Sequence, residues 1–169
     1  NGGASPGTLV TDVGDFTNGL HVKKFVNIRS DGGGVSDVTL GYADTDFPVF
    51  RLAEMYLIYA ESVLRGGTGG SIDEAVQYFN LLRQRAYGNN TANISSNQLD
   101  LQTILDERGR ELYWEGHRRT DLIRYKQLTS GTYLWPWKGG ALNGTAVSEK
   151  YNLYPIPNNN LSANSNLSQ

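Results

Sequence analysis

The chain has 169 residues, a formal net charge of −2 and no cysteine. That length fits one domain with a real core, while the charge excludes a basic field for a nucleic-acid backbone and the missing cysteine excludes disulfides, thiolate metal sites and cysteine nucleophiles. No apolar run is long enough to span a bilayer, and the opening NGGASPGT has neither methionine nor secretory signal, so a fragment or processed form is expected.

One domain over 1–169 is expected, in three stretches. Residues 1–47 are rich in glycine and aspartate, with only short alternating pieces such as Val38-Leu40-Tyr42, and predict loops with one or two minor strands. Residues 48–128 carry helical periodicity. Residues 129–169 return to loop, with a short strand predicted at Tyr151–Leu153. Asn-x-Ser/Thr triplets begin at Asn89, Asn93, Asn143, Asn160 and Asn166. They would be glycan acceptors in a eukaryotic secreted protein, but an asparagine-rich surface produces them by composition alone.

The first helix is predicted from Pro48 to Arg65, with proline at the first helical position, where its missing N–H has no partner anyway. Apolar residues surround most of it, which predicts burial on more than one face. Its charges, Arg51, Glu54, Glu61 and Arg65, form one narrow stripe, and Gly66-Gly67 ends it. The second helix is predicted over Ile72–Tyr87, opened by a Ser71/Glu74 capping box and stopped by Gly88. A short glycine turn between two helices predicts antiparallel packing. Leu52-Ala53-x-x-Tyr56 and Ala75-x-x-x-Phe79 also match pieces of a tetratricopeptide repeat.

The third helix is predicted over Leu101–Glu115, with Leu101, Ile104, Leu105 and Leu112 on its apolar face and Trp114 as core. Arg108 falls in the middle of that face, and Glu111 and Glu115 on its flank. A buried unpaired charge is very costly, so these three must be paired. Arg108 can reach Glu111 at i,i+3, and Glu115 can meet Arg51, Arg118 or Arg119. Glu54 and Asp121 complete the proposed structural network, and Asp121 lies in a fourth helix predicted from Thr120 to Gln127.

Two catalytic readings of this cluster fail on geometry. Glycoside hydrolysis needs two carboxyls facing across a sugar, whereas Glu111 and Glu115 lie on successive turns of one helix. Neighbouring arginines would also lower both pKa values, which opposes a general acid. A metal site is not supported, because Glu115-x-His117 lacks the zinc spacing and His21 is the only other histidine. No cofactor is implied.

Four blocks, FPVFRLAEMYLIYAES, IDEAVQYFNLLRQRA, ILDERGRELYWEGHRRTDLIRY and LYPIPNNNLSANSNLSQ, resemble in order and spacing the C-terminal part of the SusD/RagB family. They cover about residues 47–169. The resemblance implies a mainly α fold with tetratricopeptide-like antiparallel helix pairs, long loops and minor β-strands. It implies a glycan- or nutrient-binding lipoprotein on the outer membrane's extracellular face in Bacteroidetes, partnered by a TonB-dependent transporter of the SusC type. Family members are longer on the N-terminal side and start at a lipidated cysteine, so any membrane attachment is expected through an anchor absent from this chain. Their sugar contacts come largely from that N-terminal side, so no ligand residue is carried over.

The ligand chemistry left in this chain is aromatic. Tyr133, Trp135 and Trp137 stand in a loop ending at Gly139-Gly140. Exposed aromatics can stack on sugar rings, but the preferred reading is that they pin a long loop to its support, because large aromatics are mostly buried. The expected role is a non-enzymatic scaffold fragment of a nutrient-uptake binding protein. The alternative is a tetratricopeptide-type protein-interaction scaffold with no small-molecule ligand.

Overall fold

The computed structural model describes residues 10–14, 22, 24–29, 31–34, 39 and 42–168. Their regular structure is helical: α1 Leu52–Leu64, α2 Ile72–Tyr87, α3 Leu101–Glu111, α4 Arg118–Arg124 and α5 Asn158–Ala163. No strand occurs among the described residues. The expected strand at Tyr151–Leu153 is replaced by a 3-10 turn over Glu149–Asn152, because Tyr151 N–H bonds back to Ser148 O instead of to a neighbouring chain. Val38 and Leu40 lie outside the described residues. No helix among the described residues is long and apolar enough to cross a membrane.

Two compact units divide the chain, one of residues 21–121 and one of 1–20 with 122–169. The core of the first is built by α1, α2 and α3. Leu57, Ala60, Ala75, Phe79 and Ile104 are fully buried in it, and Leu99 is buried with them. Small residues at Ala60 and Ala75 let the helices approach around Phe79. The α2 boundaries follow from their caps: Ser71 Oγ accepts from Glu74 N–H, and Gly88 takes a left-handed φ of 70°. The Glu74 carboxylate does not close the expected box. It accepts instead from the Tyr59 and Tyr78 hydroxyls, with the Tyr56 ring stacked on Tyr78 at 4.6 Å.

Four helix boundaries differ from expectation by two residues or more. α1 starts at Leu52 with Arg51 as N-cap, so Pro48 lies outside it. Its charged stripe faces inward, with Glu54 and Glu61 buried, while Leu52, Met55 and Ile58 lie on the outside. α4 starts two residues early, at Arg118, and ends three residues early, at Arg124. α3 ends at Glu111, four residues early, in a turn where Glu115 N–H bonds to Leu112 O. Trp114 sits in that turn at φ +63° and is 62% exposed, so it is not core.

Gly109 explains why α3 tolerates a glycine. A Cβ there would lie 3.1 Å from Arg118 Nη1, and Arg118 crosses this point to donate to Leu105 O at 2.9 Å. The open backbone costs helix propensity but admits the guanidinium.

Candidate functional site

The charge cluster around α3 forms two linked groups. In the first, Arg51 bridges both glutamates: Nη1 lies 2.5 Å from Glu111 Oε1 and Nε 2.6 Å from Glu115 Oε2. Its Nη2 also donates to Glu111 O at 2.5 Å. Lys24 pairs with Glu115 and donates to Tyr113 O at 2.9 Å. Two cations thus satisfy carbonyls at the C-terminus of α3, where the helix dipole favours positive charge. Arg85 reaches Glu111 at 2.6 Å from outside. In the second group, Arg108 Nε lies 2.8 Å from Asp121 Oδ2, with Glu54 at 3.8 Å. His117 Nδ1 lies 3.5 Å from the same Glu54 oxygen.

Arg108 therefore does not take Glu111 at i,i+3. Arg51 and Arg85 occupy that carboxylate, and Arg108 finds its anion on α4. Arg118 bonds a backbone carbonyl, and Arg119 is half-buried beside the same turn. Sequence reasoning missed Glu107, which is buried between Arg83 and Arg110 at 2.9 and 2.7 Å. It also missed Lys24, the second of two consecutive lysines, with no local pattern to mark it as a partner of Glu115.

This cluster is poorly suited to acid–base chemistry. Arg51 holds both carboxylates, Glu111 through Nη1 and Glu115 through Nε, so a cation and not a substrate-sized gap lies between them. Burial pushes the Glu115 pKa up, but hydrogen bonds from Arg51 and Lys24 outweigh that and hold it below the usual carboxylate value. No group of three or more His, Asp or Glu residues that could hold a metal occurs among the described residues.

The aromatic loop belongs to the second unit, and a buried lysine organises it. Lys138 Nζ donates to Gln127 O, Ser130 O and Tyr133 O at 3.1, 2.6 and 2.6 Å. Three carbonyls match its three donors. The same ammonium stands 4.6 Å from the centre of the Trp135 ring, a cation–π distance. Burial pulls the Lys138 pKa below its ordinary value. Tyr133 meets Trp135 edge to face, with ring centres 6.1 Å apart.

The backbone around these residues is tightly folded. Trp137 adopts φ +69°, and Gly139, Gly140 and Gly144 are also positive. At Gly144 glycine is required twice over, because a Cβ would lie 2.5 Å from Trp135 O. Trp137 Nε1 donates to Val10 O at 2.7 Å, which ties its polar edge inward. Tyr133, Trp135 and Trp137 are each half-buried. Lys138 takes one face of Trp135, so a sugar ring could stack only on the opposite face. Nothing in the pattern WPWKGG marks its lysine as buried, and sequence reasoning passed over it.

Comparison with known proteins places this geometry. The SusD family profile matches residues 4–169. The starch-binding protein SusD of Bacteroides thetaiotaomicron is 46% identical over 157 residues, covering 93% of this chain and 26% of that protein. The SusD-like protein P25 of Formosa agariphila is 43% identical over 83 residues, covering 46% of this chain and 15% of that protein. The chain therefore spans about a quarter or less of the length of these relatives.

Proposed function

The chain belongs to the SusD family, and from that premise we propose that it serves as a scaffold-bearing part of a non-catalytic glycan-binding protein in nutrient uptake. The working protein would sit on the extracellular face of an outer membrane, beside a TonB-dependent transporter that carries the captured glycan inward. The observation that carries this reading is the 46% identity, across nearly the whole chain, to a protein named for starch binding. Within the chain, the Tyr133–Trp137 ledge is the element best suited to a sugar ring: an indole with one face backed by a cation and a tyrosine edge beside it.

Binding by this chain alone is expected to be weak. Each sugar hydroxyl bonded to protein gives up a comparable bond to water, and one ledge leaves little surplus over the cost of association. Titration with neutral oligosaccharides, followed by tryptophan fluorescence, tests this. A weak saturable response lost in Trp135→Ala supports the ledge, and an unchanged response in that variant removes it. No hydrolysis is expected, and turnover of a polysaccharide abolished by Glu111→Gln would overturn the non-catalytic reading.

One observation favours the second reading, a protein-interaction scaffold. The outer stripe of α1, Leu52, Met55 and Ile58, is apolar and exposed. Solitary exposed apolar residues need no explanation, but a contiguous stripe marks an interaction surface. That reading gains if no sugar shifts the fluorescence while Met55→Glu abolishes association with a protein partner.

A further inference from the structure

A second aromatic feature lies in the unit of residues 21–121. Where α3 ends, a cleft of about 620 Å³ opens, lined by Tyr113, Trp114, Arg108, Arg110, Arg118 and Arg119 among others. The volume falls in the range of small-molecule sites. Trp114 is its most exposed aromatic, and Tyr113 meets it edge to face at 6.5 Å. The backbone under Trp114 is costly. It holds the third position of the turn closed by the bond from Glu115 N–H to Leu112 O, at a φ of +63°. Glycine is the ordinary residue for such a φ, and a bulky side chain there is a strained exception. The strain presents an indole outward at a place where local stability calls for no side chain.

The polar lining is arranged to donate. Four guanidiniums line the cleft, against the single carboxylate of Asp106, which is engaged by Gln102 at 2.9 Å. The carboxylates paired with two of them are buried, Asp121 with Arg108 and Glu107 with Arg110, whereas the Arg110 side chain is 55% exposed. Arg108 is only 3% exposed, and its Nη1 has no hydrogen-bond partner among the described residues. A buried donor without an acceptor costs free energy, and Arg108 is one of the residues that line the cleft.

We propose that the Trp114 cleft is a second ligand site, selective for an anionic sugar such as a hexuronate, whose ring stacks on the indole and whose carboxylate meets the arginines. Planar guanidinium forks match carboxylate geometry, and an indole face suits the C–H face of a sugar. This rests on the glycan-binding reading above, whose own ledge carries a lysine already bound to three carbonyls. The two sites therefore differ in the charge they select.

The test uses this chain with galacturonate oligomers and maltooligosaccharides of equal length, at low and high salt. Acidic oligomers are expected to bind more tightly, with an affinity that falls as salt rises. Trp114→Gly should weaken acidic binding about tenfold, the worth of one aromatic contact. It should leave the melting temperature unchanged or higher, because it relieves the positive φ. Arg110→Gln should weaken acidic binding alone, with Glu107 still held by Arg83 at 2.9 Å. Neither variant should change neutral-sugar binding. Neutral binding lost in Trp135→Ala, together with no preference for acidic oligomers, overturns the second site and leaves the ledge standing. Failure of every sugar overturns both. Oligoglutamate competing as well as oligogalacturonate would show a seat for acidic polypeptide and also sink the sugar assignment.

Discussion

Glu115 and Lys138 are both buried charges, and they are satisfied by opposite means. Glu115 is met by side chains far away in sequence, Arg51 and Lys24. Lys138 is met by carbonyls of its own loop, no more than eleven residues away. The first arrangement is a cross-link between distant segments and exists only once α1 and α3 have come together. The second can form within one loop and shapes that loop. Breaking the first kind should therefore lower the stability of the whole helical unit, and breaking the second should loosen a local segment.

The largest effect is expected at the pair buried on both sides. Arg108 and Asp121 are nearly inaccessible, so Arg108→Met removes the cation from beside a carboxylate that cannot turn to water. A loss of about 3–5 kcal/mol is expected, as for other broken buried pairs, and thermal or urea unfolding would read it. A variant melting within a degree of the parent would show that Asp121 is satisfied without Arg108.

Glu115→Gln should cost less, about 2 kcal/mol, because Arg51 and Lys24 are each partly exposed and can reach water. It also makes a statement about pH. The folded Glu115 pKa lies below the ordinary glutamate value of 4.5. A depressed carboxylate contributes stability that is present above the unfolded pKa and is lost as pH falls through the folded one. The parent should therefore lose stability between about pH 5 and the folded pKa of Glu115, and Glu115→Gln should lose less over that window. Parallel curves for the two proteins would refute the linkage.

These partners show how far the sequence can be read. The limits of α2 were legible because Ser71 and Gly88 act locally, through one hydroxyl and one left-handed backbone angle. The burial of charge on α3 was legible too, since Arg108 falls among leucines on a helical wheel. Its partner was not. Spacing suggests Glu111 one turn away, but the anion comes from α4 after a reversal at Gly116, and only the packing decides that. The end of α3 was misjudged because Leu112 continues the apolar period past the last helical residue. Trp114 was misjudged because hydrophobicity predicts burial, while a left-handed turn carries this side chain outward. In the aromatic loop the three rings stood out by composition, but the lysine that holds them did not.

Lys138→Met tests the local half of the comparison. It strips donors from Gln127 O, Ser130 O and Tyr133 O, at an expected cost of about 1–2 kcal/mol, since loop carbonyls can recruit water. The loss should be confined to its own loop. Backbone amides of residues 127–145 should exchange faster with solvent while those of α1 to α3 keep their protection. Lys138→Arg should not restore protection, because a planar fork cannot point three donors at three carbonyls as an ammonium does. Rescue by arginine would mean that charge alone holds the loop.

The smallest effect separates burial from bonding. Asp100 caps α3 by accepting from Thr103 N–H at 2.6 Å, and it is exposed. It mirrors Lys138, as a charge satisfied by nearby backbone, but without burial. The Thr103 N–H and the Thr103 hydroxyl hold its pKa below the usual value. Its stabilisation is thus present at neutral pH and declines as pH drops through that lowered pKa. Asp100→Ala should cost about 1 kcal/mol at neutral pH, the usual worth of an N-cap, whereas Asp100→Asn should keep most of the cap and remove its acid sensitivity. If Asp100→Ala proved as costly as Lys138→Met, backbone bonding rather than burial would set the scale for both, and the contrast between loop and helix end would disappear.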